Sequence, residues 1–366
     1  MQPTKYEAKA FVNKLYHTNK DYYQDRRAKG LLRVLDRIHS SHAYVAEILQ
    51  NAIDADATKI SFKLSQSEKL IIEHDGKAFS KEDVRSISEA GTSKKLASDI
   101  GFMGIGFKSV YARFQTVAIS SPPWQFYYNC PRDEIGQIDQ VNKTLPIWND
   151  QLSDPSYGMT CRFELSNPQI KSDMTISDRI IQDLDSVMGS NKDLLVMLAC
   201  QGIQEIVWNE EEWLLEKEKI NLSYKGINFN KIHAINSNNN MEWVHLSKEY
   251  ELNEQAKKAF YNHRQNDDIK LPENELRKVE AFVRLHNDGL PIMSGRGKSF
   301  AVLPMGVRFP FSVGQLLQRN VEVWACNNNF LMDDKDTCPE KKIFGVKPSD
   351  VPKGHEWRTI YPNKFR

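Results

Sequence analysis

The stretch Tyr44–Ala57, YVAEILQNAIDADA, decides how the rest of the chain is read. Val45, Ile48, Leu49, Ala52 and Ile53 recur at helical spacing and cover most of a helical circumference, so a largely buried helix is expected. Glu47, Asn51 and Asp54 stand at i, i+4 and i+7 and project from one face of it. Two carboxylates and an amide on a buried face are unfavourable unless something polar lies opposite, and a hydrated metal with a polyphosphate meets that need. A solvent-facing stripe on a surface helix accounts for the same three residues equally well.

Outward from this helix, Lys59–Leu64 (KISFKL) and Leu70–Glu73 (LIIE) read as two strands joined by the polar turn SQSEK. The second strand opens the segment IIEHDGKAFSKEDV, Ile71–Val84, in which an acidic residue and a glycine directly follow the apolar run. A carboxylate at Asp75 suits an exocyclic amine, and Gly76 would let a planar base approach the backbone. The competing reading is a plain strand-to-helix turn, where Asp and Gly are the expected residues. Ser80 is the expected N-cap of a helix beginning Lys81, Glu82, Asp83.

Further on lies GTSKKLASDIGFMGIGFKSVYARF, Gly91–Phe114, in which Gly101, Gly104 and Gly106 precede a helical stretch over Phe107–Phe114. Backbone amides at such a glycine-rich helix start can point at phosphate oxygens, and the helix dipole favours the negative charge. Lys94, Lys95 and Lys108 are expected as mobile cations nearby. No strand leads directly into these glycines, which sets them apart from the dinucleotide fingerprint. A Walker-type loop is also missing: SGRGKS, Ser294–Ser299, ends correctly but has Ile292 where the first glycine belongs.

The order and spacing of the three segments resemble the GHKL, or Bergerat-fold, ATPases. IGFMGIGFKS, Ile100–Ser109, is similar to the lid motif of the ninety-kilodalton heat-shock chaperones, and GTSKK, with Thr92, Ser93 and Lys94, looks like the start of their lid. YGMTCRFEL, Tyr157–Leu165, resembles the late strand whose threonine, here Thr160, backs the adenine pocket. The resemblance implies an α+β fold: a Bergerat-type α/β sandwich with a mixed, mostly antiparallel sheet covered by helices. It implies ATP and Mg²⁺, with Glu47 as the general base that activates water, Asn51 as the Mg²⁺ ligand and Asp54 supporting that helix face. Gly101, Gly104, Ile105, Gly106, Phe107 and Lys108 match the phosphate-cradling loop, and Asp75 and Gly76 the adenine motif. One departure stands out. The family pattern is Asp-X-Gly-X-Gly, and a gapless alignment of HDGKAF puts His74 in the aspartate slot, Asp75 one residue later and Ala78 in place of the second glycine. Either Asp75 reaches the adenine through a local shift, or His74 and a water do.

Within the superfamily the chain resembles the sacsin-type branch, through DLLVMLACQGIQEIVWN, Asp193–Asn209, and SFAVLPMGVRFPFSV, Ser299–Val313. The implied organisation is an ATP-binding domain over residues 1–170, a transducer-like α+β domain over 171–330 and a polar tail over 331–366. Arg296, Lys298 and Arg308 are candidates for a basic residue reaching the γ-phosphate, with an ordinary surface role as the alternative. The implied function is slow ATP hydrolysis that drives lid closure and conformational change or homodimerisation, acting on a protein or nucleic-acid partner in a chaperone-like or defence-type role. A nucleotide-gated interaction module without turnover is the alternative, against which Glu47 argues. A kinase is a third, against which stands the lack of a phosphoacceptor-histidine helix around His39 and His42.

Composition sets outer bounds. With 366 residues, two compact units are expected. A 40% apolar and 27% charged make-up is that of a globular chain, and a net charge of +1 advertises neither a nucleic acid nor a cationic partner through a global field. The five scattered cysteines lack the spacing of a zinc or redox pair and read as thiols of a reducing cytoplasm. The N-terminus has no apolar leader and no stretch is long enough to span a bilayer, so a cytoplasmic protein without membrane contact is expected.

Overall fold

In KISFKL the central Ile60, Ser61 and Phe62 are buried and the ends are not, so this strand has both faces covered in the middle. It forms β1 (Lys59–Leu64) and pairs antiparallel with β2 (Leu70–His74), Ile60 opposite His74 and Leu64 opposite Leu70. The computed structural model describes residues 2–23, 43–65, 69–89, 106–133, 138–168, 175–188, 193–208, 210–224, 226–251, 276–285, 299–302 and 308–311. The chain divides into two compact units, one of residues 1–189 with 200–214, the other of 190–199 with 215–366.

The first unit begins with α1 (Lys5–Tyr23), which buries Ala8, Val12 and Leu15 at helical spacing. The Asn19 amide of α1 donates to the carbonyls of Ser88 (3.2 Å) and Thr144 (2.7 Å) and so ties together two segments far apart in sequence. α2 (Ala43–Asp54) follows, then the β1–β2 hairpin and α3 (Lys81–Ser88). Ser80 caps α3 as expected: its hydroxyl accepts from Asp83 N–H while the Asp83 carboxylate accepts from Ser80 N–H. The stretch expected as a helix over Phe107–Phe114 is a 3₁₀ helix over Gly106–Ala112. It ends just before Phe114, where the next strand begins, and 3₁₀ turns commonly serve as such short connectors.

β3 (Phe114–Ser121), β4 (Trp124–Asn129), β5 (Ile147–Trp148), β6 (Cys161–Pro168), α4 (Ile176–Met188) and β7 (Glu205–Trp208) complete this unit, with the first residues of β8 (Glu211–Tyr224). Its strands run in the order β7-β1-β2-β6-β3-β4-β5. The β1–β7 pair is parallel, Lys59 opposite Glu205, and the others are antiparallel. The sheet is thus mixed and mostly antiparallel, and the fold is α+β. Its core is aromatic: Phe62 lies 4.9 Å from Trp208 and Tyr44 5.3 Å from Phe114, ring centre to ring centre.

The second unit holds most of α5 (Asp193–Cys200) and the remainder of β8, then β9 (Ile227–Ile235), β10 (Asn240–Glu251), β11 (Leu276–Arg284), β12 (Ser299–Val302) and β13 (Arg308–Phe311). Neighbouring strands from β9 to β13 pair antiparallel, and the asparagine-rich turn Asn236–Asn239 joins β9 to β10. Buried His245 accepts at Nδ1 from Asn230 (3.1 Å) and donates from Nε2 to Glu280 (2.8 Å), so both ring nitrogens are satisfied inside the sheet. Among the described residues no helix is long and apolar enough to cross a membrane.

Candidate functional site

The α2 helix buries Tyr44, Val45, Ile48, Leu49 and Ala52, which leaves its polar stripe on the boundary of the core. Glu47 and Asn51 are half-buried, and Asp54 is exposed and accepts from the Gln50 amide (2.8 Å). The stripe therefore grades from half-buried to solvent along one face. Side-by-side carboxylate and amide oxygens are the donors a hard cation such as Mg²⁺ takes, so the residues present fit such an ion.

The start of α2 is anchored by a cluster that sequence reasoning missed. Arg113, at the end of the 3₁₀ helix, forms a two-point pair with Asp183 of α4 (2.7 and 3.1 Å), and Tyr44 reaches the same carboxylate at 3.5 Å. All three are buried. Paired and hydrogen-bonded, these charges are tolerated where a lone one would not be, and they fix the first turn of α2, one turn before Glu47. The signal that could have revealed them is Asp183 itself, a carboxylate next to Leu184 and three residues after Ile180 on the apolar face of α4.

The turn after β2 is locked from several sides. Asp75, the expected partner of an exocyclic amine, accepts from the N–H groups of Thr58 and Lys59 (2.7 Å each) and from the Thr58 hydroxyl. Burial works to raise its pKa, but these bonds outweigh it and hold the carboxyl below the usual range. At Gly76, expected to let a planar base approach the backbone, a Cβ would meet the Ala55 carbonyl oxygen at 2.7 Å and the Ala57 nitrogen at 3.1 Å. Close approach to the end of α2 is what requires glycine. Lys77 N–H donates to that same Ala55 carbonyl (2.7 Å), and Thr160, just before β6, donates from its backbone N–H to His74 O (2.9 Å) and from its hydroxyl to Gly76 O. Glu73, the residue before His74 on β2, accepts from Ser156 N–H and hydroxyl and from Arg162.

His74 ends β2 at 2% exposure. Its Nδ1 accepts from Gly76 N–H (3.2 Å), and a backbone N–H can only donate, so the proton of the neutral ring sits on Nε2. Burial pushes its pKa down to about 4, which keeps the ring neutral near pH 7. No described group accepts from Nε2. The ring lies beside Phe163, whose other ring neighbours are Phe79 and Phe107.

At the far side, Gly106 and Phe107 open the 3₁₀ helix, and Phe107 is buried. Lys108 is not the mobile cation read from the sequence. It is 6% exposed and its ammonium donates to the carbonyls of Ile87 (3.0 Å) and Lys143 (3.1 Å), while burial lowers its pKa to about 7. It clamps the end of α3 to the start of the 3₁₀ helix. Thr92, Ser93, Lys94, Lys95, Gly101, Gly104 and Ile105 lie outside the described residues, as do Arg296 and Lys298. Of Arg308 only the backbone, in β13, is described.

None of the curated protein sequences matches the chain. Among solved structures, the B-subunit of the DNA gyrase from Myxococcus xanthus is 11% identical with a TM-score of 0.31, over 54% of this chain and 62% of that one. The N-terminal domain of a DNA repair protein is 13% identical with a TM-score of 0.25, over 53% and 66%. The 43K ATPase domain of Thermus thermophilus gyrase B, in complex with an aminocoumarin, is 15% identical with a TM-score of 0.26, over 53% and 57%. The chain thus spans less than two thirds of the length of each of these structures. Residues 39–121, which hold α2, the β2 turn and the 3₁₀ helix, match the family described as histidine kinase-, DNA gyrase B-, and HSP90-like ATPase.

Proposed function

We propose that the chain binds ATP with Mg²⁺ and hydrolyses it slowly to ADP and phosphate, using the cycle to drive a conformational change. The observation that carries the reading is the half-buried pair Glu47 and Asn51 on one face of α2, inside the segment that matches the ATPase family. On this reading Mg²⁺ would supply charge neutralisation at the phosphates and would be held through Asn51. Glu47 polarises the attacking water, and Asp54 supports the same face. Gly101, Gly104, Ile105, Gly106 and Phe107 cradle the phosphates through backbone amides, with Thr92, Ser93 and Lys94 at the start of the lid and Lys108 fixing its end. The base lies against the turn His74–Gly76, backed by Thr160.

We assign nucleotide binding to residues 1–170 and a transducer-like role to 171–330, with 331–366 as a tail. Lid closure over residues 91–106 then favours pairing of two such domains and acts on a protein or nucleic-acid partner, in the manner of a sacsin-like, chaperone-like or defence ATPase of the cytoplasm. Glu47→Ala is the test. Phosphate release falls by about 10²-fold or more, the scale of a lost general base, while nucleotide binding by calorimetry stays near that of the parent. Equal turnover in both proteins removes Glu47 from the mechanism, and absence of turnover in the parent leaves a nucleotide-gated module.

A further inference from the structure

We infer that His74 reads the base of the bound nucleotide through its Nε2–H, and that the site therefore favours a base presenting a carbonyl oxygen, a 6-oxopurine, over one presenting an amine. The inference rests on the proposal that the chain binds a nucleoside triphosphate with its base against the β2 turn, and it narrows that proposal: ATP binds, and a 6-oxopurine triphosphate binds more tightly. The polarity of the ring is fixed by its neighbour: Gly76 N–H occupies Nδ1, so Nε2 has a proton to give and no lone pair with which to accept. The residue is 2% exposed and no described group accepts that proton, although Nε2 is not one of the fully sealed unpaired atoms such as the hydroxyls of Ser109 and Ser120. Nε2 thus keeps a small opening in an otherwise buried ring, and a donor there with no partner among the described groups is placed to meet an acceptor from outside the chain.

The carboxylates on either side are already engaged within the chain. Asp75 is held by Thr58 and Lys59, and Glu73 by Ser156 and Arg162. An adenine amine facing His74 would meet donor against donor. The carbonyl oxygen of a 6-oxopurine in the same place accepts directly. The neighbouring Phe163 ring supplies an apolar surface that is indifferent to which base is bound.

The experiment titrates the parent, His74→Ala and His74→Asp with Mg·ATP and with Mg·ITP, which differ at the 6-position edge of the base. The parent is expected to bind ITP about tenfold more tightly than ATP, the usual scale for one matched against one mismatched hydrogen bond. His74→Ala brings the ratio close to one, and His74→Asp turns it towards ATP. A parent that prefers ATP, or a ratio unmoved by His74→Ala in a protein whose circular dichroism and melting show it folded, overturns the base reading while leaving nucleotide binding intact. If neither triphosphate binds the parent, the proposed function falls and this inference with it.

Discussion

Around the end of β2 most polar groups are tied by hydrogen bonds to the turn itself, while the polar stripe along α2 grades in exposure. At the first region Asp75 is held by Thr58 and Lys59, Thr160 holds the carbonyls of His74 and Gly76, and His74 is almost fully buried. On the second, Glu47 and Asn51 are half-buried and Asp54 is open to water. A group locked by internal bonds sets shape, and its removal is felt in stability. A group at a wet boundary can be changed with little effect on the fold and, on our reading, a large effect on chemistry. The two regions should therefore answer mutation in different currencies, folding for the turn and turnover for the helix.

The largest expected effect on stability comes from acid acting on His74. Its folded pKa is about 4 against an ordinary 6.5, so the unfolded chain takes up the proton first as pH falls. The contribution is fully present above about pH 6.5 and is lost progressively towards pH 4, roughly 3 kcal/mol in all. Denaturant unfolding at pH 7 and pH 4 measures it, and His74→Gln, which does not titrate in this range, lacks that part of the pH slope. Identical slopes in the two proteins would break the contrast, because the turn would then not be sealed.

Gly76→Ala is the next largest. The added methyl meets the Ala55 carbonyl oxygen at 2.7 Å, a backbone atom that cannot swing aside, so overpacking lowers stability by about 1–3 kcal/mol. A shifted urea midpoint at unchanged slope is the expected result, and an unshifted midpoint would show that the turn yields. The smallest effect belongs to the helix. Asp54→Ala at its exposed end changes stability by no more than about 0.5 kcal/mol. A loss as large as that of Gly76→Ala would make α2 a structural stripe and erase the difference between the two regions.

What the sequence made legible was local. The Ser80 N-cap, the β1–β2 hairpin and the apolar face of α2 follow from spacings of a few residues, and each stands where it was expected. What it hid was set by contacts between distant segments. That Gly76 answers to Ala55, that Lys108 lies under the carbonyls of Ile87 and Lys143, and that Arg113 meets Asp183 depend on which elements touch in three dimensions. His74 falls between the two cases. Its place at the end of an apolar strand was visible in the string IIEHDG, but the direction of its hydrogen bonding was not, because that depends on which ring nitrogen Gly76 reaches.

The parallel pairing of β1 with β7 also orders events in time. During synthesis β1 and β2 can zip together as soon as residue 74 has emerged, while the strand that covers the other side of β1 begins only at Glu205. Through the whole interval the nascent chain carries an open strand edge with buried-type residues Ile60 and Phe62, the kind of edge that recruits strands from other chains. The charged Lys59 and Lys63 that flank these residues on β1 then act as guards, discouraging edge-to-edge association until β7 arrives to close the sheet.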